Sequence, residues 1–150
     1  MNINLKSLIG KLNDTCRRAL EGAVGLCVTR TNYNVEVEHW LLKLLEADNT
    51  DFGRIVRYYE IDAARLERDL TGAVDRFKTG NSRPPALSPT IVELVREAWV
   101  LASVEYDEPA VRSGHLVLAL ISNVNLARLA HESAPGMNRV NKESLQKDFH

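Results

Sequence analysis

Two eight-residue segments 76 positions apart match in register: Glu38-His39-Trp40-Leu41-Leu42-Lys43-Leu44-Leu45 and Gly114-His115-Leu116-Val117-Leu118-Ala119-Leu120-Ile121. A second pair follows in the same order at an offset of 79, with Ile61-Asp62, Leu66, Asp69 and Leu70 against Val140-Asn141, Leu145, Asp148 and Phe149. Chance can supply one such match. Two in the same order point to a duplicated unit, and the change of offset is absorbed by the loop at Ala134-Pro135-Gly136. A chain built this way must use one local plan twice and bury two similar apolar faces.

The plan is helical. From Ile3 to Cys27 the apolar residues Leu5, Leu8, Ile9, Leu12, Cys16, Ala19, Leu20, Ala23 and Cys27 keep three-and-four spacing, which predicts a single long helix. Helices are predicted from Asn34 through Leu45, over 51–59, and from Asp62 as N-cap through Phe77. The stretch Thr79 to Ala86 contains Gly80, Pro84 and Pro85, which break the helical ladder and make it a connector. Ser88-Pro89 then reads as an N-cap with a first-turn proline, opening a helix to about Tyr106. Helices from Ser113, around Leu126 to Ala130, and from Asn141 complete the second copy.

The expectation is an all-α, pseudo-duplicated four-helix repeat of about eight helices. It divides into an N-terminal helical extension (1–12), a first repeat (13–78), a Pro-rich linker (79–87) and a second repeat (88–150). Aligning Ser88 with Asn13 leaves residues 3–12 outside the duplication. The first helix should therefore overhang the body by about two turns, roughly 12 to 15 Å.

Several chemistries are disfavoured. With 19 Lys plus Arg against 20 Asp plus Glu, the net charge is -1, so no global positive field draws nucleic acid or anionic lipid. No apolar run approaches the roughly 20 residues of a membrane span, and the first ten residues do not form a secretory signal, which makes the cytoplasm the default expectation. Gly10-Lys11 is followed by Leu12 on a helical stripe, so no phosphate-binding loop is present. Histidines and cysteines lack metal-ligand spacing. Cys16 and Cys27 stand about 16 Å apart along one helix, beyond the roughly 7 Å that a disulfide spans. They read as small buried hydrophobes, and His39 and His115 as repeated structural residues near their helix starts. No catalytic constellation stands out, and the chain is read as a non-enzyme.

The duplicated unit carrying the two His-containing octapeptides resembles the Clp N-terminal domain of the bacterial AAA+ unfoldases, over about residues 13–149. The apolar stretch before the first copy and Pro84-Pro85-Ala86-Leu87-Ser88-Pro89 make it most similar to the ClpV-type ATPases of type VI secretion. The resemblance implies a recognition module without a cofactor of its own, ending before two ATPase rings that hold ATP and Mg and form a hexamer. The isolated domain is expected to be a monomer. The implied partner is an amphipathic helix of the type VI secretion sheath large subunit, bound so that ATP hydrolysis elsewhere can disassemble the sheath. The alternative is an adaptor- or client-binding N-domain of a general Clp unfoldase.

From the residues themselves, the overhanging stripe of Ile3, Leu5, Leu8, Ile9 and Leu12 is the expected first wall of a docking groove. Ala86, Leu87, Ser88 and Ile91 are the candidate second wall, with Ser88 also capping its helix. Core packing remains open for Leu87, and for Leu5, Leu8 and Leu12 against the last helix.

Overall fold

The computed structural model describes residues 5–148. Among these, nine α-helices run in the order α1 (Leu5–Ile9), α2 (Asp14–Thr29), α3 (Val37–Glu46), α4 (Asp51–Tyr58), α5 (Ala63–Asp75), α6 (Pro89–Val100), α7 (Ser113–Ser122), α8 (Val124–Ser133) and α9 (Lys142–Asp148). The all-α duplicated expectation holds. The ninth helix arises because the predicted long first helix is two helices.

That break has a local cause. Gly10 N–H still donates to Lys6 O, but Lys11 and Leu12 turn back to Leu8 O and Ile9 O in a tighter, three-residue pattern. Asn13 is extended (φ -70, ψ 171), and its side chain accepts from Cys16 N at 2.9 Å, opening α2 as an N-cap. The apolar stripe continues in sequence because both helices face the same core. The overhang is thereby corrected: α1 folds back and packs on α6.

The halves are equivalent in detail. Asn13 and Ser88 cap α2 and α6, Ser88 Oγ accepting from Ile91 N at 3.2 Å. His39 and His115 each accept, through Nδ1, the N–H of the residue three positions earlier, Glu36 and Arg112, at 2.9 Å. Asp62 and Asn141 cap α5 and α9. Between the first and second main helices a one-residue difference separates the copies. Ser88 lies 75 positions after Asn13, yet Arg112 lies 76 after Glu36. The extra residue falls where α6 continues into a π-helical turn, Leu101–Glu105, with Tyr106 N donating to Leu101 O at 3.1 Å.

The copies also exchange backbone. In β1 (Asn34–Val35) and β2 (Ala86–Leu87), Val35 pairs in parallel with Leu87. Val111, equivalent to Val35, forms a parallel bridge with Leu12, equivalent to Leu87. The segment preceding the second main helix of each half thus lies against the one preceding the first main helix of the other. Between them sits one continuous core in which Trp40, Phe52, Leu70, Ile91, Leu94, Leu118 and Leu126 are buried. α2 packs on α3 and α3 on α5, as α6 packs on α7 and α7 on α9. Trp40, the largest of these side chains, satisfies its indole N–H on Cys16 O at 3.0 Å.

Candidate functional site

The candidate surface begins at α1. At five residues it is far too short to be stable in isolation. It stands because Leu8 and Leu12 are sunk into the core, 6% and 3% exposed, while Val111 grips the turn behind it. Val111 N donates to Lys11 O at 2.7 Å, and Val111 O accepts from Asn13 N at 2.9 Å. Lys11 adds its ammonium over the face of Trp99 on α6, 4.9 Å from the ring centroid.

The predicted first wall thus divides. Leu5 is 39% exposed and Ile9 half-buried, whereas Leu8 and Leu12 are enclosed by this chain. Ile3 lies outside the described residues. The second set divides likewise. Ala86 is exposed and Leu87 half-buried in β2, while Ser88 is buried as a cap and Ile91 is in the core at 0% exposure. α1 and the 86–91 segment are connected through α6, which α1 packs against and which Ser88 opens. Residues missed from the sequence are Trp99, half-buried beneath Lys11, and Val111. The signal for Val111 was available, since the duplication makes it the counterpart of Val35.

The titratable groups nearby are structural. Burial pushes the Cys16 thiol up to about 12, Asp51 adding in the same direction, and burial also raises Cys27. Such thiols are poor nucleophiles. Burial lowers His39 to about 4, with the Arg30 charge assisting, and lowers His115 as well. Burial raises the Glu36 carboxyl, opposed by its hydrogen bond with Ser88. Ser133 donates to the buried Glu38 carboxylate at 2.6 Å, joining the halves near α8. Among the described residues, no cluster of His, Cys, Asp or Glu could hold a metal ion, and no helix is long and apolar enough to cross a membrane. An open cleft of about 320 Å³ lies between α5 and the 3-10 turn Pro135–Arg139, with Ile61 and Leu66 on its lining and a mixed-charge rim of Arg65, Asp69 and Arg139.

Comparison with known proteins bears on this surface. The pattern defining the Clp repeat (R) N-terminal domain matches residues 11–134. The chaperone protein ClpB of Yersinia enterocolitica is 38% identical over 149 residues, 99% of this chain. The AAA+ ATPase ClpV1 of Pseudomonas aeruginosa is 34% identical over 147 residues, 98% of this chain. The chain spans 17% and 16% of those proteins' own lengths. Among solved structures, a complex of a ClpV N-domain with a VipB peptide superposes with a TM-score of 0.83 and 30% identity, covering 99% of this chain and 91% of that one.

Proposed function

The chain belongs to the Clp repeat N-terminal domain family, and from that membership we propose that it is the peptide-docking module of a ClpV-like ATPase. Its partner is an amphipathic helix of the type VI secretion sheath large subunit, laid against α1 and the adjoining surface of α6. The module contributes recognition, and ATP with Mg is used by ATPase modules elsewhere in the protein to disassemble the sheath. Full-length copies form a hexamer in this reading, and the isolated domain is a monomer of the cytoplasm.

The observation that carries the proposal is the likeness, along 99% of the chain, to a ClpV N-domain in complex with a VipB peptide. The local structure supports it. α1 is clamped from behind by Val111, Leu8 and Leu12, so Leu5 and Ile9 form a preorganised apolar edge rather than a loose tail. Leu5, Ile9, Ala86 and Leu87 are the side chains left to meet a partner. Leu8, Leu12, Ser88 and Ile91 support the surface from below.

The test is titration of a labelled VipB peptide into the domain. Saturable binding is expected, and Leu5→Asp should weaken it at least about tenfold without lowering the melting temperature, because the replaced side chain is at the surface. Unchanged affinity in that variant overturns α1 as the wall. A second reading is favoured by the 38% identity to ClpB: a general unfoldase N-domain that accepts exposed segments of client proteins or an adaptor. Equal binding of unfolded casein and the VipB peptide, both insensitive to Leu5→Asp, would select that reading.

A further inference from the structure

α7 opens on Arg112, whose side chain carries donors only and so cannot accept from the free amides of its own first turn. The acceptor comes from α4. Asp51 Oδ2 accepts from Gly114 N at 3.2 Å, while the same carboxylate takes Arg112 Nε at 3.0 Å and Nη2 at 2.8 Å. The contact is returned by Ser113, whose hydroxyl oxygen accepts from Phe52 N at 3.0 Å. Two helix N-termini, one from each half, thus cap one another across the molecule. Arg112 also reaches Glu108 at 3.3 Å. Asp51 is 11% exposed, so its forked pair with Arg112 is shielded from much of the screening that weakens surface ion pairs.

The location matters because Arg112 directly follows Val111, the residue that holds Leu12 and the turn behind α1. The counterpart junction is built differently. There Glu36 occupies the place of Arg112, and α8 opens with Val124 where α4 opens with Asp51. The guanidinium–carboxylate clamp therefore belongs to the junction that carries α1 and not to its twin.

We propose that Asp51 and Arg112 are positioning residues for peptide docking: their pair fixes the 111–114 segment, which through the Val111–Leu12 bridge sets where α1 stands on α6. The proposal rests on α1 being the docking wall. It makes a surface residue of α1 answer to a carboxylate on another helix that itself touches no ligand.

The experiment uses the full chain and the VipB peptide. Affinity is measured for the unaltered protein, Asp51→Asn, Arg112→Gln and, as a remote control, Asp62→Ala, which removes the cap of α5. Amide exchange is followed at Asn13 and Val111, with Ser88, bonded to Val35 O in the counterpart junction, as the internal reference. Asp51→Asn and Arg112→Gln should each weaken peptide binding about fivefold and speed exchange at Asn13 and Val111 about tenfold relative to Ser88. Asp62→Ala should lower the melting temperature without either effect. Exchange rising equally at both junctions, or unchanged affinity in Asp51→Asn beside a wild type that binds, overturns the positioning role alone. Failure of the unaltered chain to bind the peptide overturns the docking reading and the proposal with it.

Discussion

His39 shows how far a single side chain is committed to structure here. Its Nδ1 accepts the Glu36 N–H, its Nε2 sits 2.9 Å from Asn32 Oδ1, and its ring packs 5.4 Å from that of Phe77. One nitrogen accepts and the other donates, which requires the neutral imidazole. Burial and the Arg30 charge lower its pKa to about 4. The unfolded chain takes up a proton below about pH 6.5, whereas the native chain resists until about 4. The stabilisation is therefore complete above 6.5 and is lost as pH falls from there to about 4. Melting temperatures measured between pH 7 and 4.5 should fall, and His39→Gln, which can still accept from Glu36 N, should flatten that fall. His115, with the same Nδ1 contact and a pKa lowered by burial, adds to the effect in the same direction.

At the scale of elements, α1 is the instructive case. Three-and-four spacing identified α2, α5 and α6 because one buried face dominates each of them, whereas α3, buried on nearly every side, shows as an apolar run after its cap, and Ser88-Pro89 marked the start of α6 as the sequence suggests. The same rule fused α1 to α2, because periodicity reports which side chains face the core and not whether the backbone between them is continuous. Gly10 and Asn13 were the local evidence for a stop and a restart. The candidate site inherited that error: Leu8 and Leu12, expected on a projecting face, are core, and so is Ile91. Leu5 kept its exposure, and nothing in the sequence distinguishes it from Leu8, since only the fold-back onto α6 does. Deleting residues 1–9 should leave a folded domain destabilised by about 2 to 4 kcal/mol, the scale of losing buried Leu8 and its packing, as read by urea denaturation. Removal of a true overhang would leave the unfolding midpoint unchanged.

For the whole molecule, duplication was legible from the two octapeptides, but the crossing of the halves was not. Backbone pairing between Val35 and Leu87, and between Leu12 and Val111, involves positions with no pattern of strand length to reveal them. Those contacts, with Asp51–Arg112 and Glu38–Ser133, mean that neither copy completes itself. Chains cut after Lys78 should show little cooperative melting as separate pieces 1–78 and 79–150. Mixed in equal amounts they should regain the far-ultraviolet circular dichroism and a single transition. Independent melting of either piece would show that each repeat is its own folding unit.

The reciprocal exchange carries one more consequence. Because Leu12 and Leu87 play one role and Val35 and Val111 the other, the contact is isologous, the kind made by a two-fold symmetric pair of identical subunits. A polypeptide half this long, with one sequence serving both roles, could close around a second copy of itself. The 79–85 stretch would then be the tether that turned such a homodimer into a single gene product, with α1 preceding one side and that tether the other.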